Sequence, residues 1–302
     1  MNGLTDSPAA VGAALRIFGT AASDLGQTLL PTDGDEQPRD VFDARDPDYI
    51  RRTLPAFRAA SSVYFRADVE GLANVPQDEP VLLVGNHSGG FIIVDTFVFA
   101  QSFYDHFGPE RRFHQLAHDA VFQVPGGRAI GRRWGMIPAS RDNMIGALDR
   151  GAAVLVYPGG ELETFRPSWE SSDVDFGGRA GFAKLAIETG TPIVPVVAIG
   201  GQETALFLGR GRRAAKALRL DQLLRLKVLP AQLGPPWGLT ILDLPGRIPL
   251  PSKITIRVLP KLDLQKRLGN DPDVDEAANL VFEAMQAALD DLNRERALPV
   301  IG

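Results

Sequence analysis

Val81 to Val84 is an unbroken apolar run that enters Gly85, Asn86, His87, Ser88, Gly89 and Gly90 without a spacer. Four consecutive apolar residues suit a strand buried on both faces, and the glycine-rich segment cannot prolong it. Phe91 to Ala100 is again apolar except for Asp95 and Thr96. A histidine therefore stands where a buried strand becomes a loop, with a carboxylate close behind. Open α/β sheets bind ligands at such carboxyl ends of strands. A His beside an Asp is the simplest general-base unit, in which one ring nitrogen accepts a proton while the carboxylate holds the other. On one continuous helix the two residues would stand about 12 Å apart. The chain must fold back between them, and Gly89 and Gly90 supply the positive-φ freedom to do so. The plainer alternative is a histidine that only hydrogen-bonds within its loop.

The flanking segments alternate between strand and helix. Strands are expected over 64–70, 135–138, 152–157, 192–199 and 253–259. One helix is expected to begin at Asp46 and Pro47, with Asp46 as its cap, and others to cover 91–107, 141–150 (capped by Ser140) and 179–189. This predicts an α/β fold with a mostly parallel central sheet flanked by helices. Ala120 to Trp134 reads as a glycine-bearing loop and a basic turn with Arg128, Arg132 and Arg133. Ala231 to Pro251 is proline-rich and expected to be irregular. Asp273 and Glu276 form a capping box opening a final amphipathic helix over 273–297. Residues 1–40 read as an N-terminal helix (9–30) and an acidic linker, and 41–302 as the main domain.

The net charge of −5 argues against general nucleic-acid binding. With no cysteine there is no disulfide, thiolate zinc site or thiol nucleophile. His87, His106, His114 and His118 show no metal-binding spacing, so no metal is expected. No apolar run reaches the length of a membrane span, and Asp6 with no basic leader argues against a secretory signal. A cytoplasmic protein held peripherally against a membrane is expected. Gly209 to Lys227 carries seven Arg or Lys against Asp221. That segment reads equally as a solvated helix face and as a contact for anionic lipid. Gly209, Gly211 and Ala214 match a dinucleotide fingerprint only loosely and follow no clean strand, and the G-x-S-x-G of an α/β-hydrolase is absent.

Four segments in order resemble the glycerolipid acyltransferase family, the fold of the lysophosphatidate acyltransferases. Asn86-His87 with Asp95 is similar to its His/Asp block. Gly135 to Arg141 (Gly-Met-Ile-Pro-Ala-Ser-Arg) is similar to the block whose arginine contacts acceptor phosphate. Val156 to Gly160 (Val-Tyr-Pro-Gly-Gly) resembles its Phe-Pro-Glu-Gly block. Thr191 to Val196 is similar to the fourth block, with Pro195 as its structural proline. The resemblance covers roughly residues 60–260, the motif core of an acyltransferase domain over 41–302. Two departures stand out: seven residues separate His87 from Asp95 where four are usual, and Gly159 replaces the usual Glu with no arginine following. The Tyr-Pro-Gly-Gly form looks closer to the branch that acylates neutral lipids or alcohols.

The resemblance implies acyl transfer from acyl-CoA or acyl carrier protein to a lipid hydroxyl, with no cofactor or metal. It implies His87 as general base, Asp95 orienting it, and Arg141, Tyr157, Pro158, Gly159, Gly160 and Glu161 at the substrate. Ser88, Gly89 and Gly90 would support the loop and donate amides to an oxyanion. Partners would be the acyl donor, a lipid acceptor and an anionic membrane surface. Some plainer readings stay open. Arg141 reads also as a surface residue at a helix start, Glu161 and Glu163 as solvated loop charges, and Lys184 with Glu188 as a surface pair. An inactive lipid-binding or scaffolding protein of the same fold is the rival function. Contact between the His87 and Asp95 side chains is what separates the two.

Overall fold

The computed structural model describes residues 40–123, 127–220, 227–244, 246–298 and 300. The expected helix over 9–30 lies outside them. Along the chain come α1 (Pro47–Ala59), β1 (Asp68–Glu70), β2 (Val81–Gly85), α2 (Val94–Phe107), β3 (Phe113–Ala117), α3 (Gly127–Arg133), β4 (Met136–Pro138), α4 (Arg141–Asp149), β5 (Ala153–Val156) and α5 (Gly160–Thr164). They are followed by α6 (Gly181–Thr189), β6 (Ile193–Ile199), β7 (Leu206–Gly209), α7 (Arg212–Ala217), β8 (Ala231–Gly234), β9 (Gly238–Ile241), β10 (Thr255–Val258), α8 (Leu264–Leu268) and α9 (Val274–Glu295).

The main sheet has the order β1-β10-β6-β2-β5-β3-β4. β2 lies parallel between β5 and β6, and β3 and β4 extend the parallel array. β10 runs antiparallel to β6 and carries β1 parallel to itself. The predicted mostly parallel α/β sheet is thus present. Leu82 and Val84 of β2 pack with Phe182 and Leu185 of α6 and Val281 and Leu289 of α9. Val81 and Leu83 pack on the other face with Ile50 and Leu54 of α1 and Phe99 and Phe103 of α2. Helices therefore cover β2 on both faces, and its apolar run is continuous rather than alternating for that reason. Asp46, Ser140 and Asp273 cap α1, α4 and α9 through backbone N–H groups, as predicted.

Four expectations are corrected. The strand over 64–70 shrinks to Asp68–Glu70, because α1 runs on through a π-helical turn, Ala60–Tyr64, whose Tyr64 is buried and donates to the Pro249 carbonyl at 2.7 Å. The basic turn at 128–133 is the helix α3, where Arg133 lies 5.0 Å from the Tyr49 ring. The helix expected from Phe91 starts at Val94. The proline-rich stretch holds a hairpin: β7, β8 and β9 form a second, antiparallel sheet. Pro235 and Pro236 fall in its turn, where no ladder N–H is required.

Candidate active site

Asn86 pins the end of β2 to β6. Its side-chain amide donates to the Ala198 carbonyl at 2.8 Å and accepts from the Ala198 N–H at 2.7 Å. Gly89 and Gly90 then take φ of +91° and +71° and reverse the chain. A Cβ on Gly90 would stand 2.3 Å from Asp243 Oδ2, so only glycine passes there. The reversal places Asp95 in the first turn of α2, aimed back at the loop. Its Oδ2 lies 3.3 Å from His87 Nδ1 and accepts the Ser88 N–H at 2.8 Å and the Ser88 hydroxyl at 3.2 Å. Asp95 is buried, while His87 keeps a partly open ring. When Nδ1 carries its proton toward Asp95, Nε2 is the basic nitrogen that remains.

Tyr157, just past β5, forms a platform for this ring. The His87 and Tyr157 rings stack with centroids 4.2 Å apart and an interplanar angle of 17°. The Thr96 hydroxyl donates to the Tyr157 hydroxyl at 2.8 Å. Burial, with Asp95 nearby, pushes the Tyr157 phenol well above its ordinary value, so it stays neutral. Beside the stacked pair opens a cleft of about 490 Å³. Phe91, Leu116, Val121 and Met136 give it apolar walls, and Glu161 and Arg179 give it charge.

The loop amides are already engaged. Ser88 N–H donates to Asp95, Gly89 N–H to Gln202 Oε1 at 3.3 Å, Gly90 N–H to the Thr164 carbonyl at 3.2 Å, and Phe91 N–H to Asp243 at 2.7 Å. The expectation that Ser88, Gly89 and Gly90 offer amides to an oxyanion is therefore corrected. Their N–H groups are buried and must be satisfied inside the protein. Asp243 is held in turn by Arg247, whose Nε lies 2.8 Å from Oδ1 and whose Nη2 donates to the Gly89 carbonyl at 2.7 Å.

Residues 66–199 match the family model described as Acyltransferase. The chain is 29% identical over 199 residues to an uncharacterized protein of Mycobacterium tuberculosis, covering 66% of this chain and 52% of that protein. It is 28% identical over 152 residues to the human DGAT1/2-independent enzyme synthesizing storage lipids, covering 50% and 45%. The chain thus carries its acyltransferase match on the segment that holds His87, Asp95 and Tyr157. Its fold matches the crystal structure of the 1-acyl-sn-glycerophosphate acyltransferase PlsC from Thermotoga maritima with a TM-score of 0.53 and 19% identity, over 95% of this chain and 93% of that one. The chain spans about half the length of the curated relatives it matches.

Several expected site residues converge on the cleft, and Arg141 does not. His87, Gly90, Tyr157, Pro158, Gly160 and Glu161 line the cleft, and Arg179 donates to the Pro158 and Gly159 carbonyls at 2.7 and 2.6 Å. Pro195 sits buried in β6, opposite Val84. Arg141 is exposed at the start of α4 and bonds Glu188 instead of facing the cleft. That contact also replaces the expected pairing of Glu188 with Lys184. Among the residues read as solvated, Glu163 is fully buried on α5 and accepts the His87 N–H at 2.8 Å. Arg166, Asp243 and Arg247 were not singled out in the sequence, yet all three are buried against the loop. The weak signals for them are opposite charges three and four residues apart, Glu163 with Arg166 and Asp243 with Arg247, each set among apolar neighbours.

Proposed function

We propose that this acyltransferase moves a fatty acyl group from acyl-CoA or acyl carrier protein to the hydroxyl of a glycerolipid or lysophospholipid. The observation that carries this reading is the contact between His87 and Asp95 on the wall of an apolar cleft. His87 Nε2 takes the acceptor's hydroxyl proton as that oxygen attacks the thioester carbonyl. The tetrahedral intermediate collapses, the C–S bond breaks, and the imidazolium returns the proton to the departing thiolate. An ester and a free thiol result. Asp95 holds the ring and stabilises its charged form. The apolar walls suit an acyl chain. The turning of Arg141 to Glu188 and the glycine at 159 favour a neutral acceptor over a phosphorylated one, and the storage-lipid synthesis for which the human relative is named points the same way.

The lipid acceptor calls for peripheral attachment to an anionic membrane. No helix of the described residues is long and apolar enough to cross a membrane. The second sheet exposes Leu206, Leu233, Leu239 and Ile241, with Trp237 in its turn. Exposed Arg212, Arg213, Lys216 and Arg219 follow β7 in the chain. Arg210, expected to join them, is instead paired with Glu170 and Asp175.

The deciding experiment offers the purified protein palmitoyl-CoA or palmitoyl carrier protein with mixed lipid acceptors and reads the products by mass spectrometry. His87→Ala is expected to fold and to lose about 10²–10⁴ in rate. Near-normal turnover in that variant rejects His87 as the base. No ester from either donor rejects acyl transfer.

A further inference from the structure

Two oppositely charged side chains three residues apart grip the peptide groups on either side of His87. Glu163 Oε2 accepts the His87 N–H at 2.8 Å. Arg166 Nη1 donates to the His87 carbonyl at 2.6 Å. Both are essentially sealed from solvent, at 0% and 1% exposure. Each has a second anchor outside the loop. Glu163 Oε1 accepts the Asp175 N–H at 3.1 Å, and Arg166 Nη2 donates to the Ser171 carbonyl at 3.1 Å. Arg166 Nη1 also bonds the Glu163 carbonyl at 3.1 Å, which ties the two to one backbone turn. Glu163 fills the space left by Gly159, where a Cβ would come within 2.5 Å of its Oε2.

We propose that Glu163 and Arg166 are positioning residues that act as one clamp, holding the His87 backbone so that the imidazole meets Asp95 and the cleft at the angle proton transfer requires. This rests on His87 being the base of the reaction above. Stability alone is a poor account of the clamp. Burying a carboxylate and a guanidinium carries a large desolvation cost, and apolar residues of similar volume commonly serve a core at least as well. The bonds here reach the backbone of the one residue whose orientation sets the chemistry, and a small misplacement of a reacting group is costly in rate. The carboxylate form matters too, because its two oxygens receive two separate backbone N–H groups. A glutamine has only one oxygen and would turn an NH₂ toward one of these donors.

The test compares Glu163→Gln, Arg166→Met and the double variant with the unmodified enzyme and with His87→Ala. kcat and KM are measured per mole of folded protein, the folded fraction coming from circular dichroism. Each single variant is expected to lower kcat by about 10- to 100-fold, with KM for donor and acceptor within about twofold. The double variant should be no slower than the worse single one, because a clamp that acts as a unit is lost once. Should either single variant fold poorly, Glu163→Asp and Arg166→Lys keep the charges and are expected to show a smaller kcat loss at unchanged KM. Variants that lose thermal stability but keep wild-type kcat per folded molecule overturn the clamp. So do two independent, additive losses. An inactive His87→Ala beside fully active clamp variants rejects the clamp alone, whereas an active His87→Ala removes the base and the clamp together.

Discussion

The imidazole of His87 lies almost flat on the ring of Tyr157, with centroids 4.2 Å apart, on the same side of the sheet where Asp95 reaches its Nδ1. Gly85 makes this possible, since a Cβ there would come within 2.6 Å of the tyrosine ring. Tyr157→Leu should therefore loosen the base without unfolding the sheet. A kcat loss of about tenfold is expected, on the scale of a misplaced reacting group. Tyr157→Phe removes only the bond from Thr96 and should cost about 1 kcal/mol of stability with little change in rate. Steady-state kinetics and chemical denaturation of the two variants check this. Equal rates in wild type and Tyr157→Leu would show that stacking is incidental.

Asp95→Asn keeps the shape of the side chain but removes its charge and can turn an NH₂ toward His87 or Ser88. The analogous change in a Ser-His-Asp triad lowers kcat by about 10⁴-fold through the wrong tautomer. A loss of about 10²–10⁴ is expected here, with KM nearly unchanged. A variant within threefold of wild type would mean that another group orients the ring.

Glu163 makes stability depend on pH. Burial raises its carboxyl from 4.5 to about 7, opposed by Arg166 and by the N–H groups of Asp175 and His87. The folded protein therefore holds this proton more tightly than the unfolded chain does. The stabilisation is fully present below about pH 4.5 and is lost as pH rises toward 7, with a slope of at most about 1.4 kcal/mol per unit. Taking the difference from Glu163→Gln removes the contributions of other groups, including His114, which burial lowers to about 4. Urea unfolding of both proteins between about pH 5 and pH 8 should show wild type losing ground to the variant as pH rises. A constant difference would contradict the raised value.

Leu239 and Ile241 are each 67% exposed on the second sheet. On a membrane-facing reading, sedimentation with anionic liposomes should carry the protein down at low salt and less of it at high salt. Changing Arg212, Arg213, Lys216 and Arg219 to Gln should remove the salt-sensitive part, at about 1 kcal/mol for each cation. Leu239→Asp should weaken binding at every salt concentration. A protein that stays in the supernatant with anionic liposomes at low salt would rule this face out as a lipid contact.

Much of this molecule is local and could be read from the chain. The four-residue apolar run of β2, the caps Asp46, Ser140 and Asp273, and the fold-back at Gly89 and Gly90 each depend on neighbours in sequence, and each stands in the structure. So does the strand-then-loop placement of His87. The contact of Asp95 with His87 was legible as a requirement, since two glycines permit it, but its 3.3 Å geometry depends on where α2 starts. What only the tertiary structure decided lies in groups whose character changes on burial. Glu163 carries the same charge as a solvated glutamate in the sequence. It becomes a ligand of the His87 backbone because α5 packs beneath the loop. Asp243 and Arg247 belong to a proline-rich stretch with no period to read, and they reach the loop only because the β7-β8-β9 sheet brings them there. Arg141 has the sequence context of an anion ligand, yet at the exposed start of α4 it meets Glu188. Periodicity and capping report forces between residues close in the chain, whereas the desolvation and pairing of charges are set by elements dozens of residues apart.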